Sequence, residues 1–261
     1  MSPADRVRAL LGGWLAGVAG GLFGVGGGLI LVPLLTAFFR LSQHEAHGTS
    51  LAVIGPTALA ALLVYGHSSH VDWGMALLVA LPSMWTARSG ARWAARTSPS
   101  GLSRAFALLL VIVAVHLMWK APVAAESPLL HGLPRVLFGL GLGAAVGMLS
   151  GYMGVGGGLI AVPGLTLGLG MVQQTAQGTS LAVILFTAPA GAAEHARHRH
   201  VVWPLVPALA LGGMAGSPLT SWLAQRLPHE LLVRIFALFL AANAAGLWAR
   251  SRSARGMKPT V

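Results

Sequence analysis

Ten residues constrain this chain more than any others, because they are written twice. Residues 24–33 read GVGGGLILVP, and residues 154–163 read GVGGGLIAVP, the same string with one change. The offset of 130 residues holds well beyond the glycines. GTSLAVI at 48–54 recurs unchanged at 178–184, His70 and Trp73 map onto His200 and Trp203, and residues 104–106 map onto 234–236. One ungapped offset from about residue 15 to 118 marks an internal duplication. A period this long means two halves of one bundle, not a solenoid.

Composition sets the medium. Hydrophobic residues make up 55% of the chain and charged residues 9%, where a soluble domain is roughly a quarter charged. The acids number only six, and between them lie apolar stretches at 49–65, 102–119, 179–193 and 231–248. Such stretches approach or reach the roughly 20 helical residues that cross a bilayer. The expectation is an all-α polytopic membrane protein whose surrounding partner is lipid. The net charge of +11 would point to nucleic acid in a soluble domain. Here it is assigned to the ends of membrane helices, where Lys and Arg set topology, and no nucleic-acid partner is expected. With no cysteine in the chain, disulfides and thiol chemistry are excluded. Residues 6–25 have the look of a signal peptide, but their register partner at 136–155 sits mid-chain, so both are read as membrane segments.

Each half holds a split apolar element around its glycines and then three more hydrophobic segments, in the first half at 9–39, 49–65, 73–95 and 102–119. The split element either crosses once or folds back as a hairpin. The 17 Lys and Arg choose, because cytoplasmic loops are enriched in them. With single crossings, 10 fall inside and 7 outside; with fold-back, 13 fall inside and 4 outside. Fold-back is preferred, and it gives the halves opposite orientation. Inverted repeats with discontinuous helices at the midplane are an architecture of secondary transporters. The expected organisation is an N-terminal repeat at 1–120, an external linker at 121–134, a C-terminal repeat at 135–250 and a basic cytoplasmic tail at 251–261. Both termini are expected in the cytoplasm.

The pattern G-x-G-G-G-x-[LI]-x-V-P, then A-x-G-T-S-L, then a short loop ending V-x-W, resembles the sulfite exporter TauE/SafE family. It stands at 24–33, 46–51 and 71–73, and again at 154–163, 176–181 and 201–203. The resemblance covers nearly the whole chain. It implies a bacterial inner-membrane protein that moves a small sulfur-containing anion such as sulfite or sulfoacetate. It carries the class, an anion permease, better than a ligand. One departure is the loop before Trp73, which reads GHSSHVD where the family often has Arg or Gly.

GVGGG is neither a dinucleotide fingerprint, because Leu29 and Leu159 break the G-x-G-x-x-G spacing, nor a P-loop, because no Lys follows. The plain reading is close helix packing through small residues. The functional reading uses the same missing side chains. Gly26, Gly27 and Gly28, with Gly156, Gly157 and Gly158, turn backbone N–H groups toward an anion at mid-depth, where a short following helix would add its positive dipole end. Pro33 and Pro163 fit either a first helical residue or a kink. GTS reads as an N-cap before an apolar helix. It also offers the hydroxyls of Thr49, Ser50, Thr179 and Ser180 to the same anion. His47, opposite Gln177 in the repeat, is either an interfacial loop residue or a carrier of a coupling proton. His195, His198 and His200 fall in a basic turn with no Cys or spaced carboxylate, so no metal is expected. Arg88 and Arg92 line a vestibule or snorkel, while His116 and Asn243 bond neighbouring helices. No acid falls inside a predicted span, which argues against a cation substrate, and no cofactor motif is present.

The leading reading is therefore a secondary transporter or facilitator for a small anion, and not an enzyme. Two other classes compete. An intramembrane enzyme needs a nucleophile with a base, or a metal cluster; Thr49 and His47 are close in sequence, but no such apparatus is repeated. A non-transporting partner subunit would leave the repeated polar backbone without a role.

Overall fold

The structure is a computed structural model, and it describes residues 2–98, 101, 104, 107–108, 110–115 and 130–256. His116, most of the 121–134 linker and the last five residues of the basic tail lie outside the described residues. The described secondary structure is helical. In the first half come α1 (Pro3–Phe23), α2 (Gly28–Phe38), α3 (Gln43–His67) and α4 (Trp73–Arg96), then further helical residues at 107–108 and 110–115. The second half has α5 (Gly132–Met153), α6 (Gly158–Leu169), α7 (Gln173–Arg197), a 3-10 turn (Trp203–Leu205), α8 (Val206–Ala224) and α9 (His229–Gly256). The starts and ends of α3 and α7 differ by the same 130 residues as the sequence repeat. Among the described residues, α3, α5 and α7 are long and apolar enough to cross a membrane.

The split elements fold back. Added to Gly20, a Cβ would meet Gly27, and added to Gly12 it would meet Leu34. Phe38 and Phe39 share a groove with Arg8, Leu11 and Leu15. Helix α2 therefore runs back along α1 toward the end where α1 begins. The second half repeats this: a Cβ on Gly157 would meet Val146, and Gly164 and Gly168 abut Leu142 and Phe138. Eleven and twelve residues of helix are roughly 16–18 Å, half a bilayer.

Packing interlocks the two halves. Helix α1 packs along α8 of the other half, and α4 packs along α5. Small residues at every fourth position make both seams. Gly13, Gly17 and Gly21 lie on Leu209, Gly213 and Ser217, and Gly143, Gly147 and Gly151 lie on Val79, Ser83 and Ala87. Backbones come this close only where side chains are missing, and in lipid such close packing replaces the hydrophobic effect as the force between helices. Helices α3 and α7 form the centre and run antiparallel, with Gly48 against His200, Gly191 against Leu51 and Gly178 against His70. Ile54 and Ile184 are both fully buried halfway along them. Hence α1 and α3 begin, and α2 and α7 end, at one end of the bundle, called here the near end. The turns at 67–72 and 170–173 form the far end.

Candidate functional site

The two glycine runs meet at mid-depth. Each first helix stops at a glycine with left-handed backbone, Gly24 (φ 69°) and Gly154 (φ 69°). Two more follow, Gly26 (68°) and Gly27 (89°), matched by Gly156 (77°) and Gly157 (84°). Residues with a Cβ rarely adopt this region. The chain thereby leaves α1, turns and starts α2 within four residues. The loops touch each other directly: a Cβ on Gly28 would lie 2.6 Å from Val155 Cα, and one on Gly158 would lie 2.6 Å from Val25 Cα. Gly26 and Gly156 both abut Ile54 and Ile184. The amino ends of α2 and α6, with the N–H groups that a first helical turn leaves unpaired, therefore converge between the central helices. Pro33 and Pro163 lie inside α2 and α6, not at their starts. Each denies a partner to the carbonyl four residues back.

GTS does not cap its helix. Thr49 and Thr179 lie two turns inside α3 and α7. Helix α3 is capped six residues earlier, where Ser42 and Glu45 form a capping box. That S-x-x-E signal stands in the sequence as SQHE. The three letters instead clasp the opposite half. Gly48 receives the His200 carbonyl and Gly178 the His70 carbonyl, at contacts that leave no room for a Cβ. Thr49 Oγ1 accepts the N–H of Val202 (3.0 Å), and Thr179 Oγ1 accepts that of Asp72 (2.9 Å). Ser180 Oγ donates to the Gly24 carbonyl (2.9 Å). Ser50 Oγ is buried without a partner. So Ser180 is tied to the first glycine loop, whereas Thr49 and Thr179 stand off to opposite ends. All four are fully buried.

Beside the loops, the halves differ. Tyr65 donates to Gln177 Oε1 (2.9 Å) and lies 3.1 Å from the Gly21 carbonyl, while Gln177 Nε2 donates to the Leu22 carbonyl (3.1 Å). The repeat puts His195 where Tyr65 is and His47 where Gln177 is. His195 Nε2 donates to the Gly151 carbonyl (2.8 Å) and His47 Nδ1 to the Tyr152 carbonyl (3.3 Å). His47 is thus a buried helix residue, not a loop residue. Toward the near end, His200 stacks on His44 (4.9 Å between ring centres) and lies 5.8 Å from His195. Burial, with His44 and His198 beside it, holds His200 below the ordinary histidine range. No group of three His, Asp or Glu among the described residues is placed to hold a metal ion.

The remaining charges resolve simply. Arg92 pairs with Glu194, which Arg197 and His198 also approach. Arg88 lies over the Trp85 ring. Asn243 bonds the Phe239 carbonyl of its own helix, not a neighbouring helix.

Apolar helices of spanning length that enclose a polar backbone site define a polytopic membrane protein. The family model of the sulfite exporter TauE/SafE matches residues 2–117 and 138–260, and the chain belongs to that family. Among curated relatives, Bacillus subtilis YunE is 27% identical over 87% of this chain and 92% of its own length. A Xylella fastidiosa protein is 31% identical over 89% and 90%, and Methanocaldococcus jannaschii MJ0441 is 26% identical over 69% and 68%. All three bear the name "Probable membrane transporter protein". No solved structure matches the chain significantly. The family is one of membrane transporters, and no name among these relatives gives a substrate.

Proposed function

We propose that this chain is a secondary transporter or facilitator for a small anion, a sulfur oxyanion or organosulfonate such as sulfite, in a bacterial cytoplasmic membrane. The anion is held at the midplane by Gly26–Gly28 and Gly156–Gly158, with the Ser50 hydroxyl as a free donor, while Ser180, whose hydrogen goes to the Gly24 carbonyl, fixes the first loop. Thr49 and Thr179 serve the site by holding the loops that cover it. One observation carries this reading: two half-bilayer helices begin at the same mid-depth point, amino end toward amino end. Each such end is worth roughly half a positive charge, and among the described residues the one buried acid, Glu194, is paired with two arginines. A cation would find repulsion there without compensation.

The halves act as inverted repeats, with the near end cytoplasmic. This rests on the antiparallel central helices and on the arginines, since Arg6, Arg8, Arg40, Arg88, Arg92, Arg96, Arg197 and Arg199 all fall toward the near end. Labelling of single cysteines is direct in a chain without native cysteine. Cysteines at 69, 128 and 172 are expected to react from outside, and one at 199 from the cytoplasm; Gln173 itself is buried. Opposite sides for 128 and 172 would refute the inverted arrangement.

Liposomes containing only this protein test the function. Sulfite, thiosulfate or sulfoacetate flux is expected, with no flux of a divalent metal. Metal flux without anion flux would reverse the assignment. A partner subunit or an enzyme would give no flux of either.

A further inference from the structure

We propose that His47 and His195 form a proton-binding site, loaded from the near end through His200, that makes anion binding proton-linked. The inference rests on the anion reading above. Its first support is a pair of orphaned atoms. A carbonyl only accepts hydrogen bonds, so the bonds to Tyr152 and Gly151 place hydrogens on His47 Nδ1 and His195 Nε2. Their other nitrogens, His47 Nε2 and His195 Nδ1, then carry free lone pairs. Both are buried without a partner, on side chains that are 0% exposed. Orphaned buried polar atoms are rare and call for an occupant.

The second support is the comparison within the molecule. The corresponding pair, Tyr65 and Gln177, is bonded to itself and to the end of α1. The same frame is thus complete in one half and left with two open basic atoms in the other. The third support is a path. His44 and His200 also carry buried unpartnered Nδ1 atoms, and His198 stacks on His200 at 5.9 Å with two-fifths of its side chain exposed. The chain His198, His200, His195 leads from water to the pair. At the far end the repeat has Ser68, His70 and Tyr65 in these places, with Gln174 for His44. The relay is one-sided.

His47 is also where the anion would feel a charge. Its backbone lies against Gly154, the residue that opens the second glycine loop. A proton taken from water onto either free nitrogen leaves an imidazolium, which burial alone disfavours and a nearby anion compensates. The charged and titratable groups on the elements packed around the pair are His44 and Glu45 on α3, Glu194 and Arg197 on α7, His198, Arg199 and His200 in the following turn, Arg92 on α4, and Tyr152 on α5, whose hydroxyl donates to Thr97. Glu194 is paired with the arginines, and Glu45, bonded to Ser42, keeps its charge beside His200, where it favours the protonated form of that relay residue.

The test uses full-length protein in detergent and weak buffer with a pH indicator. Thiosulfate and sulfoacetate are the probes, because neither titrates where histidine does. Anion binding is expected to take up to about one proton per site, and affinity to tighten by up to about tenfold per pH unit lowered. The double exchange His47→Gln with His195→Tyr copies the other half. It is expected to bind the anion without proton uptake and with a flat pH profile. Should it not fold, His47→Gln alone is expected at least to halve the uptake. Anion binding without uptake in the wild type, or full uptake in the variants, overturns the proton site and leaves the anion reading standing. Absence of both binding and flux for either anion overturns the anion reading, and this inference with it.

Discussion

Replacing Gly27 or Gly157 by valine is expected to abolish anion flux in either case, with the chain still inserted in the membrane. Both residues have left-handed backbone, φ 89° and 84°, in which a Cβ costs about 1–2 kcal/mol. The space is also taken. A Cβ at 27 would lie 2.6 Å from the Ala16 carbonyl oxygen, and one at 157 would lie 2.6 Å from Val146 Cγ1. Overpacking of this kind adds about 1–3 kcal/mol. The cheapest relief is for the loop to move, and the loop is the site. The outer seams, α1 on α8 and α4 on α5, are untouched, so insertion is expected to survive. Flux in liposomes and the amount of protein recovered in the membrane check this. Loss of flux from one substitution and not its counterpart would mean that the halves do not share one site. Loss of insertion from both would return the glycines to a packing role.

The repeat was legible because a duplication needs no structural context to be seen. Fold-back was legible from arginine placement, since charge bias integrates over whole loops and tolerates errors in helix ends. What stayed hidden is which half packs on which. Gly13, Gly17 and Gly21 announce a close seam, but identical repeats give no sign that the partner is α8 of the other half. The same ambiguity hid the meaning of GTS. Thr before an apolar run resembles a cap, and the true cap, SQHE, sits where polar residues looked like loop. Its real partners, the main-chain groups of the V-x-W loops, have no side-chain signature. Tyr65 belongs to no motif, although its offset partner His195 and the pairing of His47 with Gln177 are open to direct comparison in the sequence.

Substituting valine for Gly178 is expected to open the far end, and valine for Gly48 the near end. At each place the incoming Cβ would occupy the position of a loop carbonyl, His70 at Gly178 and His200 at Gly48. The loop then lifts, and its N–H to threonine is lost with it. Thr179→Ala and Thr49→Ala make the same change in graded form. Each leaves a part-buried N–H, of Asp72 or Val202, without its acceptor, at up to about 1–3 kcal/mol. If the loops are the covers of the site, that shifts the closed-to-open ratio by roughly 5- to 150-fold. The covers are separate, so the effects are expected to be separate too. A cysteine replacing Val71 should gain reactivity from outside in the Gly178→Val and Thr179→Ala backgrounds only. One replacing Val201, which is 9% exposed, should gain it from the cytoplasm in the Gly48→Val and Thr49→Ala backgrounds only. Flux should fall in all four, because a transporter needs each cover to close in turn. Thr→Ser at either position keeps the acceptor and should restore closure. Unchanged cysteine reactivity with a lowered melting temperature would make the clasps structural braces. Reactivity gained at the wrong end would place the covers, and the orientation of the halves, the other way round.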